Sequence, residues 1–298
     1  MVLLVLLFAA QGVTVPTGKT TTLTTVPQAR IAVPAGGFRM GATADDVRLA
    51  RLMCEAELRA SGALLLEASP RCGSRFDAET PQADVYVPAF ALDRTEVTVA
   101  AYAACVRQGA CRPALELRLA ADQANTPIER VTWYEAAAYC RAQGGRLPSE
   151  AEWEKAARGL SRRTWPWGHD WQDRRANHGR SQRMAPGSAP GSEDDTLEPG
   201  DGFAGAAPVG AYTTGASPYG ALDMAGNVWE WTAGYFSREA PQTVTRFDPR
   251  GPLYGDERTV RGGSYRRPPS DLRLTRRLGL APGERMPGVG FRCAYDGE

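Results

Sequence analysis

The stretch Gly220–Phe236, "GALDMAGNVWEWTAGYF", decides how the rest of the chain is read. It places Trp229, Trp231, Tyr235 and Phe236 directly after a region, 160–220, in which regular periodicity nearly vanishes. By composition alone, "GSAPGSEDDTLEPGDGF" (187–203) reads as a disordered acidic linker between two domains. On its far side, however, stand tryptophans at 165, 167 and 171. Aromatic residues on both flanks argue for a packed, irregular core that spans the region. With no internal repeat and no second compositional regime, the chain reads as one domain.

Toward the N-terminus the local signals are more regular. "IAVPAGGFRMG" (31–41) alternates apolar residues and ends in glycine turns, as a strand and hairpin would. Residues 44–60 read as a helix, and "VYVPAFALDRTEVT" (85–98) as a strand followed by a Thr98 helix cap. That helix runs through "VAAYAACVRQ" and stops at Gly109. Two capping boxes follow, Thr132 with Glu135 and Ser149 with Glu152, opening helices that end near Gly144–Gly145 and at Gly159.

Apolar content is ordinary and the net charge over 298 residues is +1, which argues against wholesale disorder and against a nucleic-acid partner. Lys19 and Lys155 are the only lysines, a bias best ascribed to genomic base composition. The opening "MVLLVLLFAAQG" is shorter than the roughly 20 apolar residues that a membrane-spanning helix needs. It resembles a secretory signal ending at Ala10, without the basic segment that usually precedes the apolar run. The expected division is a signal peptide over 1–10, a Thr-rich tether over 11–29 and one domain over 30–298. The expected location is extracytoplasmic, periplasmic or secreted. Six cysteines, Cys54, Cys72, Cys105, Cys111, Cys140 and Cys293, fit an exported protein with three disulfides. Metal binding is the rival reading, but there is no CxxC pair, and His169 and His178 are the only histidines. Six cysteines do not fix a connectivity; proximity in sequence favours Cys54–Cys72 and Cys105–Cys111, leaving Cys140–Cys293.

Several motifs occur in a fixed order: "VPAGGFRMG", "DRTEVTVAAY", "VTWYEAAAYCRAQGGRLPSEAEWEKAARG", "WPWG", "PVGAYTTGASPYGALDMAGNVWEWT", "VRGGSY" and "GFRCAYD". Together they closely resemble the sulfatase-modifying-factor family, whose founding member is the formylglycine-generating enzyme. The resemblance covers the chain from about Val33 to Asp296. It implies an α+β fold related to C-type lectins, loop-rich with little regular secondary structure. It supports the Cys140–Cys293 pair, because the family joins the cysteine of "AYC" to that of "GFRC". It also implies two calcium ions. The first would be held by the Asn177 side chain, the His178 carbonyl, the Asp201 carboxylate and the Phe203 carbonyl. The second would be held by Asp223, the carbonyls of Gly226 and Val228, and Glu230. Calcium takes about 6–8 oxygen ligands in irregular loops, which suits such a mixture.

The resemblance fails at the family's redox centre. The founding enzyme oxidises a client cysteine with copper held by two thiolates that follow "GGSY", and here those positions are Arg267 and Leu272. Neither side chain has a soft donor, so no copper is expected. Iron-dependent relatives that join sulfur to histidine derivatives carry a histidine motif, and no H-x-x-x-E pattern surrounds His169 or His178. For the arginines of "RGGSYRRPPSDLRLTRR" (261–277) two readings stand side by side. Arg261, Arg273, Arg276 and Arg277 read as partners of the protein's own acids and carbonyls. Tyr265, Arg266 and Arg267 read as a groove for a carboxylate, sulfate or phosphate. The expected function is an exported, calcium-stabilised, disulfide-bonded binding or accessory module, whose partner is a protein or an anionic small molecule. The alternative is an oxidoreductase of the same family without the two-cysteine copper site, with Glu230, Asp271 or Tyr265 as acid–base groups.

Overall fold

Two prolines set the architecture of the first half. The structure, a computed structural model, describes residues 28–62, 64–114, 123–179, 201–239 and 246–297. The expected signal peptide, nearly all of the tether, and most of the acidic stretch 187–203 lie outside the described residues. Strand β1 (Arg30–Val33) pairs antiparallel with β4 (Phe90–Asp93), and β2 (Gly36–Met40) with β3 (Ala83–Val87). Between each consecutive pair of strands sits a proline, Pro34 or Pro88, with no N–H to continue a ladder. The expected hairpin over 31–41 and single strand over 85–93 are therefore corrected. The two segments run side by side and change sheet together, with Val33 opposite Phe90 before the break and Gly36 opposite Val87 after it. Strand β9 (Ala294–Asp296) completes the first sheet beside β4.

Lys155 fills the break. Its side chain is fully buried, and Nζ donates to the carbonyls of Pro34 (2.6 Å), Gly36 (2.9 Å) and Val87 (3.4 Å). These carbonyls flank the interruption, so an ammonium meets acceptors that would otherwise be buried without donors.

Helices begin where the sequence supplies caps. They are α1 (Ala44–Ala60), α2 (Leu65–Gly73), α3 (Val99–Arg107), α4 (Trp133–Ala142) and α5 (Glu150–Arg158). The capping boxes at Thr132 and Ser149 form as expected, and Thr98 accepts the amide of Ala101. A third box joins Thr43 to Asp46; with Asp in place of Glu at its last position, it did not stand out in the sequence.

The last sheet runs β7 (Arg277–Leu280), β6 (Arg258–Arg261), β5 (Trp229–Tyr235), β8 (Val289–Gly290), with β5 and β8 parallel. Its aromatic strand β5 sends Trp229 and Trp231 into a core shared with Tyr102, Tyr139 and Phe291. On the other side of α5, Trp153 packs with Phe90, Leu92, Met224 and Leu274. The tryptophans at 165, 167 and 171 pack on one another, and Trp165 clusters with Ala176, Ala225 and Leu272. The two flanks touch through Ala225, which packs on Trp165, while Trp229 and Trp231 belong to the core of Tyr102 and Phe291; residues 180–200 lie outside the described residues.

All six cysteines are paired as expected: Cys54–Cys72 between α1 and α2, Cys105–Cys111 beyond α3, and Cys140–Cys293. The last spans 153 residues, a closure that chain entropy values at about 5 kcal/mol. Beside it the buried Asp93 carboxylate accepts the Cys293 amide at 3.0 Å, while its other oxygen has no hydrogen-bond partner among the described residues.

Burial is the main force on Asp93, pushing its pKa up to about 6 against the Cys293 amide and Arg292, which oppose it. A carboxyl raised in the folded state contributes stability that is full below its unfolded pKa, near 3.8, and lost as pH rises through about 6. Wild-type protein is therefore expected to gain stability relative to Asp93→Asn as pH falls from 7 to 4. Urea unfolding of both proteins across that range checks it; a constant difference would contradict the assignment.

Candidate functional site

The glycine pair at 262–263 builds the turn around which the site is arranged. Both residues have positive φ, 97° and 78°, and a Cβ on Gly263 would lie 2.8 Å from Leu272 Cδ1. Only glycine lets the strand end pass this close to Leu272. Leu272 is fully buried against Trp165, Ala176 and Ala225. Leu272, which the resemblance aligned with a thiolate, is thus a core residue.

Arg261, Arg273, Arg276 and Arg277 meet the protein's own acids and carbonyls, as the sequence suggested. Arg261 donates to Glu154 (2.5 Å) and to the carbonyls of Leu274 and Thr275. Arg273 makes a two-pronged contact with Glu79 at 2.8 and 2.6 Å, and Arg277 does the same with Glu150 at 2.8 and 2.7 Å. Arg276 and Arg75 share Asp271. Burial alone would raise the Asp271 carboxyl, but Arg75, Arg276 and Arg267 outweigh it and hold it far below the ordinary carboxylate range. An acid held ionised this firmly has no proton to donate at neutral pH.

The three groove candidates do not share one groove. Arg267 is buried and lines a cleft with Arg75, Asp271 and Arg276. Tyr265 lines a different cleft, of about 440 Å³, with Glu129 and Arg130. Burial raises the Glu129 carboxyl, and Arg130, Arg266 and Tyr265 pull it down, so Arg266 acts on the Tyr265 side. The backbone turn through Ser264 sends consecutive arginines to different faces.

The residues expected to hold calcium fall into two neighbouring groups. In the first, the Asp201 carboxylate accepts the amides of His178 (2.5 Å) and Phe203 (3.1 Å). Asn177 is buried; its Nδ2 donates to the Gly205 carbonyl and to Asn227 Oδ1, and its Oδ1 has no hydrogen-bond donor among the described residues. The His178 ring stacks edge-on to Trp171, away from the backbone oxygen assigned to the ion.

In the second group, Glu230 is already engaged. Both its oxygens accept from Arg292, at 2.7 Å each, and Oε2 also accepts from Trp153 Nε1 at 2.8 Å. Asp223 accepts the Gly210 amide. Between them lies Glu96, which the sequence reading did not select, although "DRTEVT" contains it. Glu96 is fully buried; Oε1 accepts from Asn227, and Oε2 has no partner among the described residues. Burial first, and then repulsion from Asp223 and Glu230, pushes the Glu96 carboxyl well up; burial also raises Asp223, against the Gly210 amide and Arg292, which oppose it. Asn227, held at φ 59°, bridges the two groups through Asn177 and Glu96. Among the described residues no three Asp, Glu, His or Cys side chains converge as a metal-holding set. An ion here would draw on carbonyl and amide oxygens as well as carboxylates.

The sequence matches the family profile described as "Sulfatase-modifying factor enzyme 1-like domain" over residues 16–297. It is 40% identical over 183 residues to the formylglycine-generating enzyme of Thermomonospora curvata, covering 59% of this chain and 57% of that one. It is 39% identical over 169 residues to "Inactive C-alpha-formylglycine-generating enzyme 2" of Bos taurus, covering 56% of this chain and 50% of that one. The chain thus spans about half the length of the curated relatives it matches. The fold is similar to that of PvdO from Pseudomonas aeruginosa, with a TM-score of 0.64 and 23% identity over 90% of this chain and 94% of that one.

The buried pairs and the exposed ones should behave differently. Arg273→Ala strands the Glu79 carboxylate, which is fully buried, and is expected to cost about 3–5 kcal/mol of stability. Arg39→Ala removes a solvated contact with Asp84 and is expected to cost less than about 1 kcal/mol. Chemical denaturation of both variants checks this; similar losses would show that Arg273 is not the scaffold residue described.

Proposed function

The chain belongs to the sulfatase-modifying-factor family, and from that premise we propose that it is an exported, disulfide-bonded, calcium-stabilised module that binds rather than oxidises. One observation carries the reading: the positions of the family's two thiolates are Arg267 and the buried Leu272, and all six cysteines are in disulfides. Copper(I) in this fold needs soft sulfur donors. A guanidinium has no lone pair to give and an isobutyl group has none at all. Two of the three expected acid–base substitutes are also occupied, Glu230 by Arg292 and Trp153, and Asp271 by Arg75 and Arg276.

Export is supported by three disulfides, which persist in oxidising compartments. No helix among the described residues is long and apolar enough to cross a membrane. Calcium is supported by the donor chemistry. Asn177 Oδ1 and Glu96 Oε2 are buried oxygens without hydrogen-bond partners among the described residues, and the Glu96, Asp223 and Glu230 carboxylates gather around Arg292. The first group would hold an ion with Asn177, Asp201 and the carbonyls of His178 and Phe203. The second would use Asp223 and the carbonyls of Gly226 and Val228, with Glu96 or Glu230 supplying further charge. In both places the ion would supply charge balance and hold loops together.

Incubated with copper, oxygen and a peptide containing C-x-P-x-R, the purified protein is expected to form no formylglycine above background by mass spectrometry. Catalytic turnover to the aldehyde would overturn the reading. Chelation is expected to lower the melting temperature, with recovery on adding calcium. A hundredfold excess over Kd corresponds to about 2.7 kcal/mol. Asp223→Asn and Asp201→Asn should each remove part of this response. A melting temperature indifferent to chelator, in protein whose elemental analysis finds no calcium, would remove the metal from the account.

A further inference from the structure

A cleft of about 420 Å³ lies between α2 and β7, against the turn that carries Arg267. Its volume falls in the range of small-molecule sites. Six guanidiniums line it, those of Arg71, Arg75, Arg238, Arg267, Arg276 and Arg277, against two carboxylates, Asp271 and Glu257. Part of this charge belongs to the scaffold. Arg277 is held by Glu150, while Arg75 and Arg276 divide one carboxylate between them. Arg71 and Arg238 are different: neither makes a hydrogen bond or ion pair with any described residue.

A polar group of the wall is also without a partner. Trp229 is 1% exposed, and its indole N–H has no acceptor among the described residues. A buried donor left unpaired costs free energy that an incoming acceptor would recover. The arrangement is held from behind by tertiary contacts. Glu57 of α1 accepts both the amide and the hydroxyl of Ser270, at 2.9 and 2.5 Å, and so clamps the helix onto the Pro268–Leu272 turn. The Cys54–Cys72 disulfide fixes α2, so Arg71 and Arg75 are carried on a cross-linked segment. Collecting like charges at a fixed, partly desolvated wall is costly unless an anion completes it. Guanidiniums bind oxyanions through paired, charge-assisted hydrogen bonds.

We propose that this cleft binds a small molecule bearing two or more negative charges on phosphate, sulfate or carboxylate oxygens, with Arg71, Arg238 and Arg267 as its cationic contacts and the Trp229 N–H as a neutral donor. The proposal deepens the binding reading above and rests on it. The Tyr265 cleft is not part of it, since Glu129 contributes a carboxylate there.

The test titrates the full chain with inorganic phosphate, sulfate and citrate, holding ionic strength constant with chloride, by calorimetry and thermal shift. At least one of the three is expected to bind saturably and raise the melting temperature. Preference for phosphate or sulfate would assign a tetrahedral head group, and preference for citrate a polycarboxylate. Arg71→Ala and Arg238→Ala should each weaken that binding roughly tenfold, the value of one charge-assisted hydrogen bond, and leave the melting temperature of unliganded protein nearly unchanged. Trp229→Phe should weaken it several-fold, and Arg39→Ala, which removes a solvated contact with Asp84 and does not line the cleft, should not change it. The proposal is overturned if none of the three anions binds above chloride, or if Arg71→Ala and Arg238→Ala bind as wild type. Formylglycine formation by the same preparation would instead overturn the non-oxidising reading beneath it.

Discussion

The Arg292 guanidinium is the point from which the rest of the fold is hung. It is fully buried, and its five N–H groups are all spent: two on Glu230, the others on the carbonyls of Asp93, Arg94 and Leu222. Those partners come from β5, the end of β4 and the loop before the aromatic stretch. Trp153 adds α5 by donating to the same Glu230. One residue further on, Cys293 cross-links to Cys140 and donates its amide to Asp93. A buried ion pair repays its desolvation only with good geometry and further hydrogen bonds, and here all five N–H groups are used and both Glu230 oxygens accept. Removing either member would leave a full charge in the core, at a cost of about 3–5 kcal/mol.

Helix α5 extends the same logic to the arginine-rich segment. All nine of its residues are buried, Glu150, Glu152, Glu154, Lys155 and Arg158 among them. Such a helix would be impossible in an apolar core, and is possible here because each acid meets an arginine and Lys155 meets three carbonyls. Arg146 meets Glu152, Arg277 meets Glu150, and Arg261 meets Glu154. The charge of "RGGSYRRPPSDLRLTRR" is therefore mostly internal: Arg261, Arg273, Arg276 and Arg277 face inward to acids. Of the other two, Arg266 acts on Glu129 beside Tyr265, and Arg267 lines the cleft with Asp271.

Much of this was legible in the sequence, for reasons that can be named. Helix starts are written locally, in Thr132–Glu135 and Ser149–Glu152, and capping depends on neighbours three residues apart. The short disulfides followed from proximity in sequence. Partnerships across the chain were less readable. No local pattern tells that Lys155 serves the carbonyls around Pro34 and Val87, or that Pro34 and Pro88 break two strands together. Glu96 went unnoticed because an isolated acid in "DRTEVT" reads as solvated until its burial beside Asp223 is seen. The separation of Tyr265 from Arg267 depends on a turn through two positive-φ glycines, whose direction a sequence does not specify.

Charge and aliphatic packing stand in this chain where the family's chemistry calls for sulfur. Leu272 is locked under Gly263, Arg267 is buried beside Asp271, and all six cysteine sulfurs are consumed in cross-links. The measurement closest to that claim is a thiol count on protein prepared without reductant from an oxidising compartment, made in denaturant with a thiol-specific reagent. The expected result is no titratable thiol per chain until a reductant is added, and six afterwards. A pair of reactive thiols before reduction would mean that sulfur remains available for redox chemistry, and would contradict the account.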